Sequence, residues 1–435
     1  MKTLRKFCLL ISIGSALVLS AGLLFQKADS WHPAAVAFCF FGAIGLDAVP
    51  SLKNYQYTAW IITAVVAAMI YPTAFLKVGG FDLRNKWLIL AVVQMVMFGM
   101  GIQMGLKDFT GLGSTGKGVL IGLACHFTVM PLMGLLLTKV FKFEPEIAAG
   151  VILIGSCSSG LASNVMVYLA RANLVLSVTV TAMATLAAPF LTPVLMKLLA
   201  GTLIQIRFIS MMMEIIKIVL VPIGAALLHD YLKHAMPARK RMVYILAMLC
   251  VAYLLALPAG LYHWYEDHFS AAALQSAEVF AFLTGAFIVG VVYHALYQLK
   301  RSIDSFVPYL SMAGIVYFTA VTTAAGRDNL LNVGLLLFLA SVIHNGAGYF
   351  FGYWLSRLFG LDKNSARTVA FEVGLQNGGM ASGLAGTMGK LATVGLAPAV
   401  FSPWMNISGS LLANYWRKRP VENAESADAN TKAEK

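Results

Sequence analysis

Charge is scarce in this 435-residue chain: 12% of its residues are Asp, Glu, Lys or Arg, against 59% hydrophobic. That balance excludes a water-soluble domain of this length, because such a domain needs about 25% charged residues to cover its surface. The motifs HExxH, GxSxG and GxxxxGK[ST] are missing, so metal-dependent hydrolysis, serine acyl transfer and P-loop chemistry lose their usual warrants. Cysteine is sparse as well. Cys8, Cys39, Cys125, Cys157 and Cys250 all stand in apolar runs without a CxxC pair, as small buried hydrophobes and neither disulfides nor metal ligands. Strand-like alternation is absent, which makes the apolar runs helices and not barrel strands. The longest connections, near 77–86 and 263–275, are too short to hold a soluble domain.

What is present is a succession of apolar stretches of membrane-spanning length. At about 18 to 25 residues per span they place helices near 6–26, 33–50, 57–76, 87–106, 116–140, 146–169 and 173–200. A second set falls near 208–230, 242–262, 276–298, 306–326, 331–357, 365–386 and 393–416. The fold class this predicts is an all-α polytopic membrane protein with about fourteen transmembrane helices, about seven in each of the halves 1–206 and 207–419. An odd number per half turns the second half upside down relative to the first, the parity of an inverted repeat. The segment 420–435, rich in Ala, Glu, Asp, Asn and Lys without periodicity, reads as a disordered tail.

The first residues, Met1-Lys-Thr-Leu-Arg-Lys6 and an apolar run to Phe25, lack an A-x-A cleavage site and read as a first span, not a secretory signal. A net charge of +13 would suggest a nucleic-acid partner in a soluble protein. Here the basic residues collect in loops beside the spans, so the partner is the lipid bilayer and not nucleic acid. With the amino terminus inside, the inner loops gather Lys107, Lys117, Arg239, Lys240, Arg241, Lys300, Arg301 and Arg417-Lys-Arg419, and outnumber the outer loops. The inner-side excess assigns both termini to the cytoplasm and the chain to the cell (inner) membrane as a multi-pass protein.

Two polar clusters interrupt the apolar pattern at matching places in the two halves: Gly155-Ser-Cys-Ser-Ser-Gly-Leu-Ala-Ser163-Asn164 and Glu372-Val-Gly-Leu-Gln376-Asn377-Gly-Gly. Hydrocarbon cannot satisfy the backbone groups that such residues expose, so they must line a cavity or be buried in protein. Broken helices in corresponding positions of two halves point to a transporter's binding site. A desolvated sodium ion takes oxygen ligands from carboxylate, hydroxyl, amide and carbonyl groups, a mixture both clusters supply. Ser163 and Asn164 offer side-chain oxygens, and Ser177 and Thr181, four apart on one helical face, can aim hydroxyls back at Asn164. Taken singly, Ser163 and Asn164 read equally well as helix-packing hydrogen bonds; hydroxyls such as those of Ser177 and Thr181 often bond to their own helix. Glu372 tips the balance. A carboxylate at membrane depth costs at least about 2.5 to 3.5 kcal/mol unless paired, and the spans around it offer no Lys or Arg at similar depth, so a bound cation is its simplest partner. His126, near the middle of its span, reads either as a helix-packing residue or as a cavity-lining or titrating group. Glu214 and Lys217, three apart, read as a local ion pair, and Glu278 as interfacial or structural.

At these clusters the chain resembles the bile acid:sodium symporter family, whose bacterial and plant members include carriers of bile acids, pantoate and 2-oxo acids. The resemblance rests on Met97-Phe-Gly-Met-Gly101, Gly150-Val-Ile-Leu-Ile-Gly155, Ala162-Ser-Asn-Val-Met-Val-Tyr-Leu-Ala-Arg171, Leu176-Ser-Val-Thr-Val-Thr181 and Thr192-Pro193. It continues in His344-Asn-Gly, Glu372-Val-Gly-Leu-Gln-Asn377 and Asn406-Ile-Ser-Gly-Ser-Leu-Leu-Ala413, covering most of 87–230 and 305–416. It implies ten family helices in two inverted repeats, arranged as a core and a panel domain with broken helices crossing in the core. It implies one sodium site from Ser163, Asn164, Ser177, Thr181 and Glu372. A second would use Glu372, the carbonyls of Val373 and Leu375, and the Gln376 side chain, while Asn377 faces the substrate cavity.

The chain departs from that pattern in three ways. His126 stands where the family has a glutamine ligand, and imidazole nitrogen is a poor partner for a hard cation, which weighs against the second sodium site and leaves proton coupling open. Ser158-Ser159-Gly160-Leu161 replaces Pro-Gly-Gly-Thr and Met405 replaces a cavity-side histidine before Asn406, which alters the pocket formed by Gly160, Leu161, His126, Asn377, Met405 and Asn406. Two additional spans per half, near 33–76 and 242–298, are expected as insertions between the first and second helix of each repeat. The function expected is a sodium-coupled symporter of a small organic anion working by alternating access, and not an enzyme, the positive ends of the half-helices favouring an anionic group. The alternative is a proton-coupled carrier or exporter using Glu372 and His126. A membrane-embedded lipid enzyme with that pair as acid and base is the third reading, without a nucleophile motif to support it.

Overall fold

The computed structural model describes residues 2–421 apart from 50, 51, 53, 54 and 111; of the expected tail, 422–435 lie outside the described residues. Helices dominate because apolar residues fill one stretch after another and, at membrane depth, only helices satisfy their own backbone groups. The first half holds α1 (Lys2–Leu24), α2 (Ala28–Gly45), α3 (Gln56–Ile70), α4 (Pro72–Leu76) and α5 (Lys86–Ile102). It continues with α6 (Leu106–Thr110), α7 (Leu112–Phe141), α8 (Pro145–Ser156), α9 (Leu161–Leu169) and α10 (Leu174–Leu199). The second half holds α11 (Phe208–Ile215), α12 (Val221–His234), α13 (Pro237–Ala256), α14 (Tyr262–His268) and α15 (Ala271–Leu299). Then come α16 (Ile303–Ala325), α17 (Arg327–Leu358), α18 (Lys363–Gly374), α19 (Gly378–Thr387) and α20 (Leu396–Arg417). A π turn, Ile216–Leu220, joins α11 to α12 without a break.

Local chemistry sets several of the boundaries. Asn85, Asn173 and Asp362 precede α5, α10 and α18, and their side-chain oxygens accept backbone N–H groups of the first turn. Pro145 and Pro237 open α8 and α13, where the missing N–H costs nothing.

Eight helices pack side by side in one row, in the order α1, α2, α3, α16, α5, α12, α15, α13. The row has the same pattern from either end: α3 of the first half lies against α16 of the second, as α12 of the second lies against α5 of the first. This is the panel of an inverted-repeat transporter, and the remaining long helices form its core: α7 packs on α8, α17 on α18, α7 on α17, α10 on α7 and α20 on α17. The extra pair expected near 33–76 spans α2 and α3. In the row α3 takes the central place that mirrors α12, and α1 and α2 stand outermost. Apolar periodicity marks a span but not the neighbour it packs on.

Nine helices among the described residues are long and apolar enough to cross a membrane, fewer than the fourteen expected. The difference lies in short α3 and α5 of 15 and 17 residues, in polar α20, and in two spans that are each split into half-helices. The splits are the centre of the core. α8 stops at Ser156, where Cys157 turns extended at φ −75°, ψ 162°, and the chain stays extended at Gly160 before α9 begins. α18 stops at Gly374, where Leu375 is extended at φ −107°, ψ 98°, and Asn377 then caps α19 by accepting the N–H of Met380. The two extended pieces cross as an antiparallel bridge between Ser159 and Gln376. Gly160 donates to the Leu375 carbonyl at 3.2 Å and Asn377 to that of Ser158 at 2.8 Å, so the breaks satisfy each other where water is absent. Close approach fixes the crossing: a Cβ on Gly348 of α17 would stand 2.6 Å from the Gly374 Cα, room that only glycine leaves.

Candidate cation and substrate site

The crossing brings residues some two hundred positions apart into one buried oxygen cluster. Glu372, in the last turn of α18, is fully buried, as are Ser159, Ser163, Ser177 and Thr181. Its carboxylate accepts from Ser177 at 2.5 Å on one oxygen, and from Ser159 and Thr181, both at 2.8 Å, on the other. Ser177 and Thr181 come from α10, one turn apart on the face turned to the crossing. The same two hydroxyls reach the Asn164 Oδ1 of α9 at 2.7 and 3.2 Å. Ser163 donates to the Gly160 carbonyl at 2.7 Å and lies 3.5 Å from the Thr181 hydroxyl.

The proton count of this cluster is short. A hydroxyl carries one proton, so neither Ser177 nor Thr181 can donate to Glu372 and Asn164 at the same time. Acceptor oxygens outnumber donors among these side chains, and no ion pair to Glu372 occurs among the described residues. Such a surplus of buried oxygen is what a small hard cation satisfies.

The residues expected at a second site are arranged differently. The Glu372 carbonyl faces His126 Nδ1 at 2.9 Å, the Val373 carbonyl accepts from the Gln376 amide at 2.6 Å, and the Leu375 carbonyl accepts from Gly160. His126 also places Nε2 at 2.8 Å from the Cys157 carbonyl, which makes it a strut from α7 to both breaks. It is fully buried and is not among the residues lining the cavity, so it takes the helix-packing place and not the cavity-lining one.

Beside the crossing, between core and row, lies a cavity of about 290 Å³. Gly160, Leu161, Leu375, Gln376, Asn377, Met405 and Asn406 all line it, from the core side. Opposite them stand Tyr57 and Thr58 of α3, Met97 and Met100 of α5, and Ser311 and Met312 of α16. Among the described residues its lining has no Lys, Arg, His, Asp or Glu. The first residues of α9 and α19 open onto it, so the positive ends of two half-helices face it. Asn377 has two tasks: it lines the cavity and caps α19.

Sequence reasoning missed Ser159 and Tyr57. The signal for Ser159 was its place in the middle of the first break; Tyr57, whose hydroxyl has no hydrogen-bond partner among the described residues, left none, because only the packing of α3 on α16 carries it to the cavity.

Comparison with known proteins identifies the family. Residues 90–264 match the Sodium Bile acid symporter family. An uncharacterized sodium-dependent transporter of Bacillus subtilis, YocS, is 32% identical over 378 residues, 86% of this chain and 95% of that protein. A probable sodium/metabolite cotransporter of rice chloroplasts, BASS1, is 28% identical over 86% of this chain and 75% of its own length. The human ileal sodium/bile acid cotransporter is 25% identical over 66% of this chain and 65% of its own. With a family match across the first crossing and a bacterial relative aligned over nearly its whole length, the chain belongs to the sodium bile acid symporter family of multi-pass membrane transporters.

Proposed function

We propose that this protein is a sodium-coupled symporter of a small organic anion, with one sodium ion held by Glu372, Asn164, Ser163, Ser177 and Thr181, and by Ser159 in addition. The observation that carries the proposal is the shared use of the Ser177 and Thr181 hydroxyls by Glu372 and Asn164 across two crossing breaks. An ion there ties α18 to α9 and α10, and so fixes the shape of the crossing that walls the cavity. Sodium and substrate then stabilise the same conformation, which is the origin of coupling.

The substrate this cavity suits is small and carries a single negative charge. Its volume of about 290 Å³ stands at the low end of ligand sites, about 300 to 1,000 Å³. Without a cationic side chain in the lining, the attraction comes from two half-helix ends and a neighbouring sodium ion, enough for one carboxylate but not for several. Met97, Met100, Met166, Met312 and Met405 suit an apolar body beside that carboxylate. The cavity lies where the core meets the row, so movement of one against the other exposes it to alternate sides of the membrane. The excess of Lys and Arg in the loops taken as inner supports a cell (inner) membrane location with both termini cytoplasmic.

Uptake of labelled small carboxylates into proteoliposomes tests the proposal. Uptake driven by an inward sodium gradient and lost when potassium replaces sodium is the expected result. Uptake that ignores the exchange and follows a pH gradient overturns sodium coupling in favour of the proton.

A further inference from the structure

Away from the crossing, α12 and α15 run parallel and are pinned together by polar contacts at two levels. At the first level Lys217, in the π turn before α12, is 5% exposed and lies 2.5 Å from Glu214 and 3.1 Å from Glu278 of α15. At the second, His294 of α15 meets His229 of α12 at 3.3 Å, while Lys233 and Tyr293 both donate to Asp304 of α16 at 2.8 Å. Between these levels α5, α12 and α15 wall a cavity of about 560 Å³, lined by Phe98, Pro222, Ala225, Phe282, Gly285 and Val289. The one polar side chain in its lining among the described residues, Gln94, is already spent on the Lys217 carbonyl at 3.1 Å. None of the residues that line the substrate cavity belongs to it.

A cavity of that size without free polar groups does not hold ordered water, since each water needs two to four polar partners. It lies between two membrane spans, where the surrounding medium is hydrocarbon, and its volume is within the range of about 300 to 1,000 Å³ of ligand sites. The triad stands next to the lining, with Lys217 Nζ 5.5 Å from the centroid of the Phe282 ring, and its charge sets the head group. Two carboxylates surround one ammonium, which leaves an excess negative charge, and the Glu278 side chain, bonded to Lys217, is 49% exposed. Phe282 follows Glu278 by one helical turn, so a molecule with its head on Glu278 has its tail directed along the apolar wall.

We infer that the cavity between α12 and α15 is a lipid site, taking one acyl chain of a bilayer phospholipid whose ammonium head pairs with Glu278 and Glu214. The choice of an ammonium lipid over an anionic one follows from the sign of the triad: a phosphoglycerol head brings a second negative charge to Glu278, whereas an ethanolamine head brings N–H donors that can hydrogen-bond to it. The site joins an outer helix of the row to its central pair, and it is independent of the sodium and substrate site proposed above.

The test uses the full chain in nanodiscs containing phosphatidylethanolamine, or in separate samples phosphatidylglycerol, with a photoactivatable diazirine on one acyl chain. Cross-links from the ethanolamine lipid concentrated in 221–225 and 281–289 are the expected result, with the glycerol lipid weaker there. Filling the cavity with Gly285→Leu, or with Val289→Trp in a second variant, removes those cross-links and leaves labelling of the lipid-exposed α13 unchanged. Glu278→Gln lowers the preference for the ethanolamine lipid by up to about fivefold, the range of a partly exposed ion pair. Equal labelling by both lipids overturns the head-group assignment. Cross-links that survive both filling variants, or that never appear in these segments, overturn the site.

Discussion

Glu372 faces two groups of oxygen atoms, one through its carboxylate and one through its backbone carbonyl, and the two are built from different donors. Around the carboxylate the donors are the hydroxyls of Ser159, Ser177 and Thr181. Around the carbonyls of Val373 and Leu375 they are the N–H groups of Gln376 and Gly160, while the Glu372 carbonyl faces His126 Nδ1, a donor there in one of the two tautomers. A hydroxyl both donates and accepts, so on arrival of a cation it rotates its proton away and turns a lone pair inward. An amide N–H has no such alternative. The first group can therefore exchange hydrogen bonds for ion ligation at little cost, whereas in the second only Gln376 Oε1 is without a partner and the three carbonyls must lose their contacts to gain an ion. The comparison argues for one sodium ion where the family pattern implies two.

The change that breaks this comparison most completely is Glu372→Gln, which keeps the shape and removes the charge. Loss of one partner from a buried charge pair costs about 3 to 5 kcal/mol, so sodium affinity falls on the order of a hundredfold or more. The melting temperature of the purified variant then no longer rises with sodium, as it does for the wild type relative to potassium. Thr181→Val and Ser177→Ala each remove one rotating hydroxyl. Hydrogen bonds to a charged group are worth about 1.5 to 3 kcal/mol, which corresponds to roughly tenfold or more in the sodium midpoint of the same melting assay. His126→Gln sharpens the comparison from the other side by offering an amide oxygen to the second group. Its effect on the first site is smaller, under about tenfold, but sodium binding measured by calorimetry is expected to change from one ion per chain towards two. Asp362→Ala is the mildest change. It deletes the cap of α18 far from the ions, lowers unfolding stability by about 1 kcal/mol, and leaves the sodium midpoint where it was.

Much of the site was legible in the sequence because it rests on short-range pattern: Ser177 and Thr181 share a face by their spacing, and Glu372 announces itself as a carboxylate in an apolar run. The paired breaks were legible for the same reason, since glycine and serine at matching depth in two halves cannot continue a lipid-facing helix. What was not legible depends on contacts between distant segments. The place of α3 beside α16, and with it Tyr57 at the cavity, is a packing outcome that α3's own residues do not encode. Ser159 gained its role from the crossing geometry, which turns it towards Glu372. The depth of His126 in the membrane left helix packing and cavity lining both open, and the side of α7 it occupies points it at two carbonyls.

Sodium calorimetry on wild type and Glu372→Gln, with potassium as the reference, is the most direct measurement of what the crossing does. The account predicts one sodium ion bound per wild-type chain, none with measurable heat in the variant, and none when potassium is offered to either. Two sodium ions per wild-type chain, or unchanged sodium binding by Glu372→Gln, contradicts it.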